Sequence, residues 1–297
     1  MRIHLIIRIV LMLSVACFCV NRVHAELSKK QAKQLIRNAA GMSLPSSAVR
    51  IESISSTNES TAEASTELQL VFRLARDDSG HWQIKELRTG AGRWENIELV
   101  IQAAKIDLGV QNCGTKDELG RVKPEADLTV RRARCLIANL FAVPMPSDAV
   151  RIKEISDLGL GSLPSAIAVS LVQANFRFTR DSHGWRVSEF HSGNRSWIKL
   201  ESVPDEVDAL KRARTNDDLN TIAAALEEYR RVRGSFVVAE KHSVLIDSLT
   251  PHFLHRVIRL DSWHHPFRYE GTSDHFTIRS LGPDGKENTP DDIVVTR

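Results

Sequence analysis

Near the C-terminus, the stretch SLGPDGKENTPDDI, Ser280 to Ile293, crowds four acidic side chains, two prolines and two glycines between hydrophobic neighbours. Acids at that density repel one another unless a cation offsets their charge. The chemistry they offer is coordination of a hard divalent ion through oxygen ligands. The loop is not an EF-hand, because the alternating ligands at fixed positions and the closing Glu of that motif are absent. A solvated acidic turn without metal has the same composition, since Asp, Gly and Pro are ordinary turn residues.

Two further sets of side chains have the types for chemistry. Histidines concentrate at His252, His255, His264, His265 and His275. His252 and His255 share a face if that segment is helical, whereas His264 and His265 point to opposite sides of a strand. A zinc site also needs Cys or carboxylate partners at matching spacing, and none accompanies these histidines. Glu86 and Glu189 are the second set: each lies two residues beyond a hydrophobic residue, Ile84 or Val187, on the same side of an ideal strand. Paired carboxylates do acid and base work, but no second catalytic group stands near either one.

The elements that position these residues come from an internal repeat. LPSSAVRIESIS (44–55) returns as MPSDAVRIKEIS (145–156), and FRLARDDSGHWQIKEL (72–87) returns as FRFTRDSHGWRVSEF (176–190). Each copy opens on a helical stripe, Ala32, Leu35, Ile36 and Ala39 in one and Ala133, Leu136, Ile137 and Leu140 in the other. The period then changes to two, at Leu68, Leu70, Phe72 and Leu74, and at Val172, Ala174, Phe176 and Phe178, which predicts half-buried strands. The turns RDDSGHW and RDSHGW fold each strand back into a hairpin. Each module is thus expected to be a helix on a small antiparallel meander, an α+β unit. The repeated tryptophans, Trp82, Trp94, Trp185 and Trp197, are expected to fill the cores. The Glu86 and Glu189 pair is what duplication leaves behind in any case.

Residues 1–25 combine a basic start, an apolar run shorter than a bilayer span and a small-residue exit at Ala25, the pattern of a cleaved secretory leader. The leader carries Arg2, Arg8 and Arg22 and no acids, so its removal takes the formal charge from +3 to zero. A neutral mature chain has no overall pull toward nucleic acid. Export to the periplasm or the extracellular space also favours pairing of Cys113 with Cys135, the cysteines beyond the leader. The expected organisation is a leader (1–25), a first module (27–106), a linker (107–126), a second module (127–203) and a C-terminal unit (204–297).

In the C-terminal unit, residues 215–236 read as an amphipathic helix. Thr215 and Asp218 have capping-box spacing, Leu219, Ile222, Leu226 and Tyr229 form one apolar stripe, and Gly234 can close the helix. A short helix or turn, VLIDSLTPHFL, and three short strand candidates, HPFRYEG, DHFTIRS and DDIVVT, follow. The helix end ALEEYRRVRGSF together with DSWHHPFRYEG, FTIRSLGPDG and TPDDI resembles the C-terminal domain of the major pseudopilin of type II secretion, over about residues 215–297. The resemblance implies a helix packed on a small antiparallel sheet, and an acidic loop holding calcium. It places the Leu281 carbonyl and the carboxylates of Asp284, Asp291 and Asp292 around the ion.

Two departures from the family pattern stand out. The filament subunits of that family begin with a long apolar helix, whereas here the amphipathic helix follows the two modules. The family's Asp-Pro-Trp-Gly run appears as Asp261, Ser262, Trp263 and His264, without the proline or the glycine. The implied role is a secreted or periplasmic, non-enzymatic binding or scaffold component whose partners are secretion-system or envelope proteins. A second reading, from another class, is a cell-envelope metal-dependent hydrolase built on the histidines.

Overall fold

Two strands with unbroken in-out alternation dominate the molecule: β2 (Thr61–Arg76) and β6 (Ser165–Asp181). They belong to a computed structural model that describes residues 26–108, 113, 127–159, 164–239 and 241–297. The expected leader and most of the expected linker lie outside the described residues. On β2, Leu68, Leu70, Phe72 and Leu74 are buried, and on β6, Val172, Ala174, Phe176 and Phe178 are, as the two-residue period requires.

The remaining strands of the large sheet are β1 (Val49–Asn58), β3 (Trp82–Gly90), β4 (Arg93–Asn96), β5 (Val150–Asp157), β7 (Gly184–His191) and β8 (Ile198–Lys199). One edge of β2 is shared by β1, paired with residues 61–68, and β3, paired with residues 72–76. The other edge runs antiparallel along β6 from Thr61↔Thr179 to Ala75↔Ser165. β6 is built the same way, with β5 and β7 sharing its outer edge. The meanders expected of separate modules are thus halves of one eight-stranded sheet over one core. Leu68 pairs with Val172, residues at the same place in the two repeats, so the halves meet as two copies meet in a symmetric dimer. Beside this pair, Thr66 Oγ1 donates to the Ala174 carbonyl (2.9 Å) and Ser170 Oγ to the Leu70 carbonyl (3.4 Å), which satisfies two fully buried hydroxyls.

Helices α1 (Lys29–Arg37), α2 (Ile97–Ala103) and α3 (Val130–Leu140) contribute to the same core. Ser28 and Thr129 cap α1 and α3 by accepting from Gln31 N–H and Arg132 N–H, both at 3.2 Å. Ala32 and Ile36 of α1 and Ala133 and Ile137 of α3 are fully buried, as their spacing predicts. Cys113 is disulfide-bonded to Cys135 on α3, with Cα atoms 5.4 Å apart. The two cysteines are 22 positions apart, and closing a loop of that many residues is worth about 3 kcal/mol in the chain-entropy model.

The expected geometry of Glu86 and Glu189 is corrected. A β-bulge at Lys85 shifts the register of β3, so Leu74 faces Ile84 but Arg73 faces Glu86. The same shift at Ser188 sets Phe178 opposite Val187 and Arg177 opposite Glu189. Each bulge turns its glutamate away from the hydrophobic residue two positions earlier. The tryptophans divide as well. Trp82 and Trp185 are buried, while Trp94 and Trp197 lie partly exposed beneath the guanidinium groups of Arg73 (4.4 Å) and Arg177 (4.1 Å).

The C-terminal unit has its own core. Helix α4 (Val203–Arg233) and α5 (His242–Leu249) pack on an antiparallel sheet of β9 (Arg268–Gly271), β10 (Phe276–Ser280) and β11 (Ile293–Thr296), with β10 central. Leu219, Ile222 and Leu226 of α4 meet Tyr269, Phe276 and Ile278, all essentially inaccessible to solvent. Gly234 ends α4 at φ +83°, the left-handed closure its position predicts.

The expected start of that helix at Thr215 is overturned. The helix begins twelve residues earlier, at Val203, with Pro204, Asp205 and Glu206 in its first turn, all suited to a helix N-terminus. Thr215 and Asp218 lie inside the helix and are buried: Thr215 Oγ1 accepts from Ser262 N–H at 3.2 Å, and Asp218 pairs with Arg256. Residues three apart in a capping box are also residues three apart on one helix face, so the same spacing serves either role. Among the described residues no helix is long and apolar enough to cross a membrane.

Candidate functional site

The turn from Asp261 to His265 is organised by one buried carboxylate. Asp261 Oδ1 accepts from Trp263 N–H (3.0 Å) and His265 N–H (2.8 Å), and Oδ2 accepts from Ser280 Oγ (2.6 Å). His264 and His265 therefore sit in a turn, not on the two faces of a strand. His264 occupies the position where the resembled family carries glycine, and its φ is +69°, the left-handed region that favours glycine. Its ring reaches the first half of the chain: Nε2 lies 3.0 Å from Glu86 Oε1.

Glu86 is thus shared by Arg73 and His264. Burial pushes its carboxyl up, but the hydrogen bond from His264 and the charges of Arg73 and His264 outweigh burial and hold it below the usual range. Glu86 in turn raises His264 above its ordinary value, against a smaller opposing push from burial. The equivalent group in the second repeat, Arg177 with Glu189 and Trp197, instead takes Glu63 as a third partner (2.9 Å). Each of these glutamates is an ion-pair hub: Glu86 is held by Arg73 and His264, and Glu189 by Arg177.

The first turns of α4 make the second junction. Lys211, buried in α4, places Nζ 2.5 Å from the carboxylate of Glu95 on β4. Asp208, one turn earlier, accepts from Trp263 Nε1 at 3.2 Å and from Arg212 at 3.0 Å. Between α4, α2 and the inner face of the large sheet lies a cavity of about 700 Å³. Leu70 and Phe176 of the sheet, Val100 and Ile101 of α2, and Val203 and Val207 of α4 form its apolar walls.

The acidic loop follows β10. Gly282, at φ +60°, lies so near Asp291 that a side chain there would come within 2.5 Å of the Asp291 carbonyl oxygen and 2.6 Å of its carboxylate. That approach brings the Asp291 carboxylate to the Asp284 amide, which it accepts at 3.3 Å. Hydrogen bonding from Thr289 holds the Asp291 carboxyl below the usual range. Asp284 Oδ1 accepts from Lys286 N–H (2.8 Å), and Gly282 O lies 2.9 Å from His265 Nδ1. Asp292 faces another way, accepting from Asn288 N–H (2.9 Å) and lying 3.5 Å from Arg279. Among the described residues no group of three His, Cys, Asp or Glu side chains is arranged to hold a metal ion. A hard cation here would draw on two carboxylates, Asp284 and Asp291, and on backbone oxygen.

The histidines do not converge. His252 and His255 are exposed beyond the end of α5, so neither is helical. His275 bonds Thr272 (2.8 Å), and His264 and His265 hold Glu86 and the Gly282 carbonyl. The cavity and the Lys211–Glu95 pair have no signature in the sequence, because each joins residues more than a hundred positions apart. A weak sign of the Glu86–His264 contact existed in the missing glycine.

No curated protein and no solved structure matches the chain. Residues 202–296, from the residue before α4 to the end of β11, match the family model of type II secretion system (T2SS), protein G.

Proposed function

We propose that the protein is an exported, non-enzymatic binding or scaffold component linked to type II secretion or pilus-like machinery, its C-terminal unit stabilised by calcium. The observation that carries this reading is the match over residues 202–296, which coincides with α4 and the three-stranded sheet. The calcium part draws support from the close approach of Asp291 to Gly282 and Asp284. The Leu281 carbonyl and the Asp284 and Asp291 carboxylates would hold the ion, and Asp292 could join them by exchanging Arg279 for it. Calcium takes oxygen ligands in a flexible shell, so a mixed set of this kind suits it.

If the site binds with a dissociation constant of about 0.1 mM, as many extracellular modules do, then about 1 mM calcium stabilises the fold by roughly 1.4 kcal/mol. Differential scanning calorimetry with calcium and with a chelator measures this. The expected outcome is a higher melting temperature with calcium in the natural protein and no such rise in Asp284→Ala or Asp291→Ala. A melting temperature indifferent to chelation overturns the calcium part. The link to secretion is tested by cross-linking in envelope extracts, where adducts with pseudopilins are expected. A chain that yields none in cells with active type II secretion is no partner of that machinery.

A further inference from the structure

The cavity beneath α4 has the size and lining of a ligand pocket, which typically encloses some 300–1,000 Å³ of mostly apolar wall with a few placed polar groups. The cavity opens to solvent, and water within it meets walls that offer few hydrogen-bond partners. An apolar guest that displaces this water is favoured.

The charges that line the cavity specify the guest's head. Glu95 is neutralised by Lys211, and Asp208 by Arg212. His264 is held by Glu86 and His265 by the Gly282 carbonyl, and two arginines remain. Arg93 donates to the Gly41 carbonyl (2.9 Å), and Arg195 to the carbonyls of Asp107 (2.9 Å) and Leu140 (3.1 Å). The charge of Asp107 also acts on Arg195, yet no carboxylate oxygen bonds either guanidinium among the described residues. Arg93 opens β4, Arg195 lies in the segment between β7 and β8, and both line the cavity. Guanidinium groups bonded only to neutral carbonyls keep their charge and spare donors for a carboxylate or phosphate.

We propose that this cavity binds a single-chain amphiphile with an anionic head, its acyl chain between Leu70, Phe176 and Val207 and its head at Arg93 and Arg195. The site touches the acidic loop at Pro283 and gives the repeated half of the chain a ligand of its own.

The test is titration of the purified full-length protein with cis-parinaric acid, a fluorescent long-chain fatty acid, and displacement by competitors of equal chain length. Saturable binding of one molecule per chain, displaced by palmitate at least tenfold better than by a trimethylammonium amphiphile, is the expected result. Val207→Trp, which fills the cavity, should abolish binding. Arg93→Gln with Arg195→Gln should weaken palmitate about tenfold while leaving a neutral maltoside unchanged. Preference for lysophosphatidic acid over palmitate supports the proposal with a lipid phosphate as head, and the reverse supports it with a free fatty acid. Absence of saturable binding, equal binding of the cationic amphiphile, or full binding by a cooperatively melting Val207→Trp or Val100→Trp overturns it. If one tryptophan variant fails to fold, the other and the head-group comparison on the natural protein still decide.

Discussion

His264 holds a backbone conformation that costs a residue with a side chain about 1 kcal/mol, and it is Glu86, from the other half of the chain, that its ring reaches. The linkage has a definite sign. His264 titrates above 6.5 in the folded protein, so its contribution is complete below that pH and is lost as the pH rises through the raised value. Glu86 titrates below 4.5, so its contribution is present above 4.5 and is lost as the pH falls through the depressed value. The contact is therefore at full strength from about pH 4.5 to 6.5. His242, lowered by burial, works in the opposite direction above its folded value, so the informative quantity is a difference between variants. Thermal melts of the natural protein and His264→Gln are expected to differ at about pH 6 and to converge toward about pH 9, whereas Glu86→Gln, which also loses the Arg73 pair, stays lower at both. A constant difference between the natural protein and His264→Gln across that range would show that protonation of His264 plays no part.

At the level of elements, α4 serves both parts of the molecule: Val203 and Lys211 are buried along the cavity beside the large sheet, and Leu219 to Leu226 pack in the core of the small sheet. The apolar stripe from Leu219 onward was legible in the sequence, because every partner lies on one side of the helix. The first turns were not, because a buried Lys211 reads as a solvent-facing residue until Glu95 is placed beside it. Ala213 is exposed between the two halves, so Ala213→Pro removes a helical hydrogen bond without disturbing either core directly. The expected cost is about 3 kcal/mol, measured by urea denaturation. A cost within about 0.5 kcal/mol, the range of ordinary surface changes, would mean that α4 is not continuous through this point.

Over the whole molecule, the joint between β2 and β6 decides the architecture. A fragment comprising residues 26–108 would expose the long edge of β2 that β6 covers, and an exposed edge of that length is a template for pairing. Because Leu68 already faces its counterpart Val172, β2 of a second copy can take the place of β6. Sedimentation of this fragment is expected to show a dimer or larger assemblies. A stable, folded monomer would mean that the halves fold independently of their shared sheet.

Local patterns by themselves determined much of this protein. The alternation at Leu68 to Leu74 and Val172 to Phe178 specified strands with one buried face, the stripes at Ala32 and Ile36 and at Ala133 and Ile137 specified helices, and Gly234 specified where α4 stops. Each of these is a property of neighbouring residues, set by backbone geometry and the period of burial. The fusion of the repeats into one sheet, the bulges that turn Glu86 and Glu189 toward arginines, the reach of His264 and the cavity beneath α4 were decided only by tertiary structure. They depend on which distant strand edge, charge or apolar wall arrives alongside, and a strand carries no mark of its partner beyond its own unpaired edge.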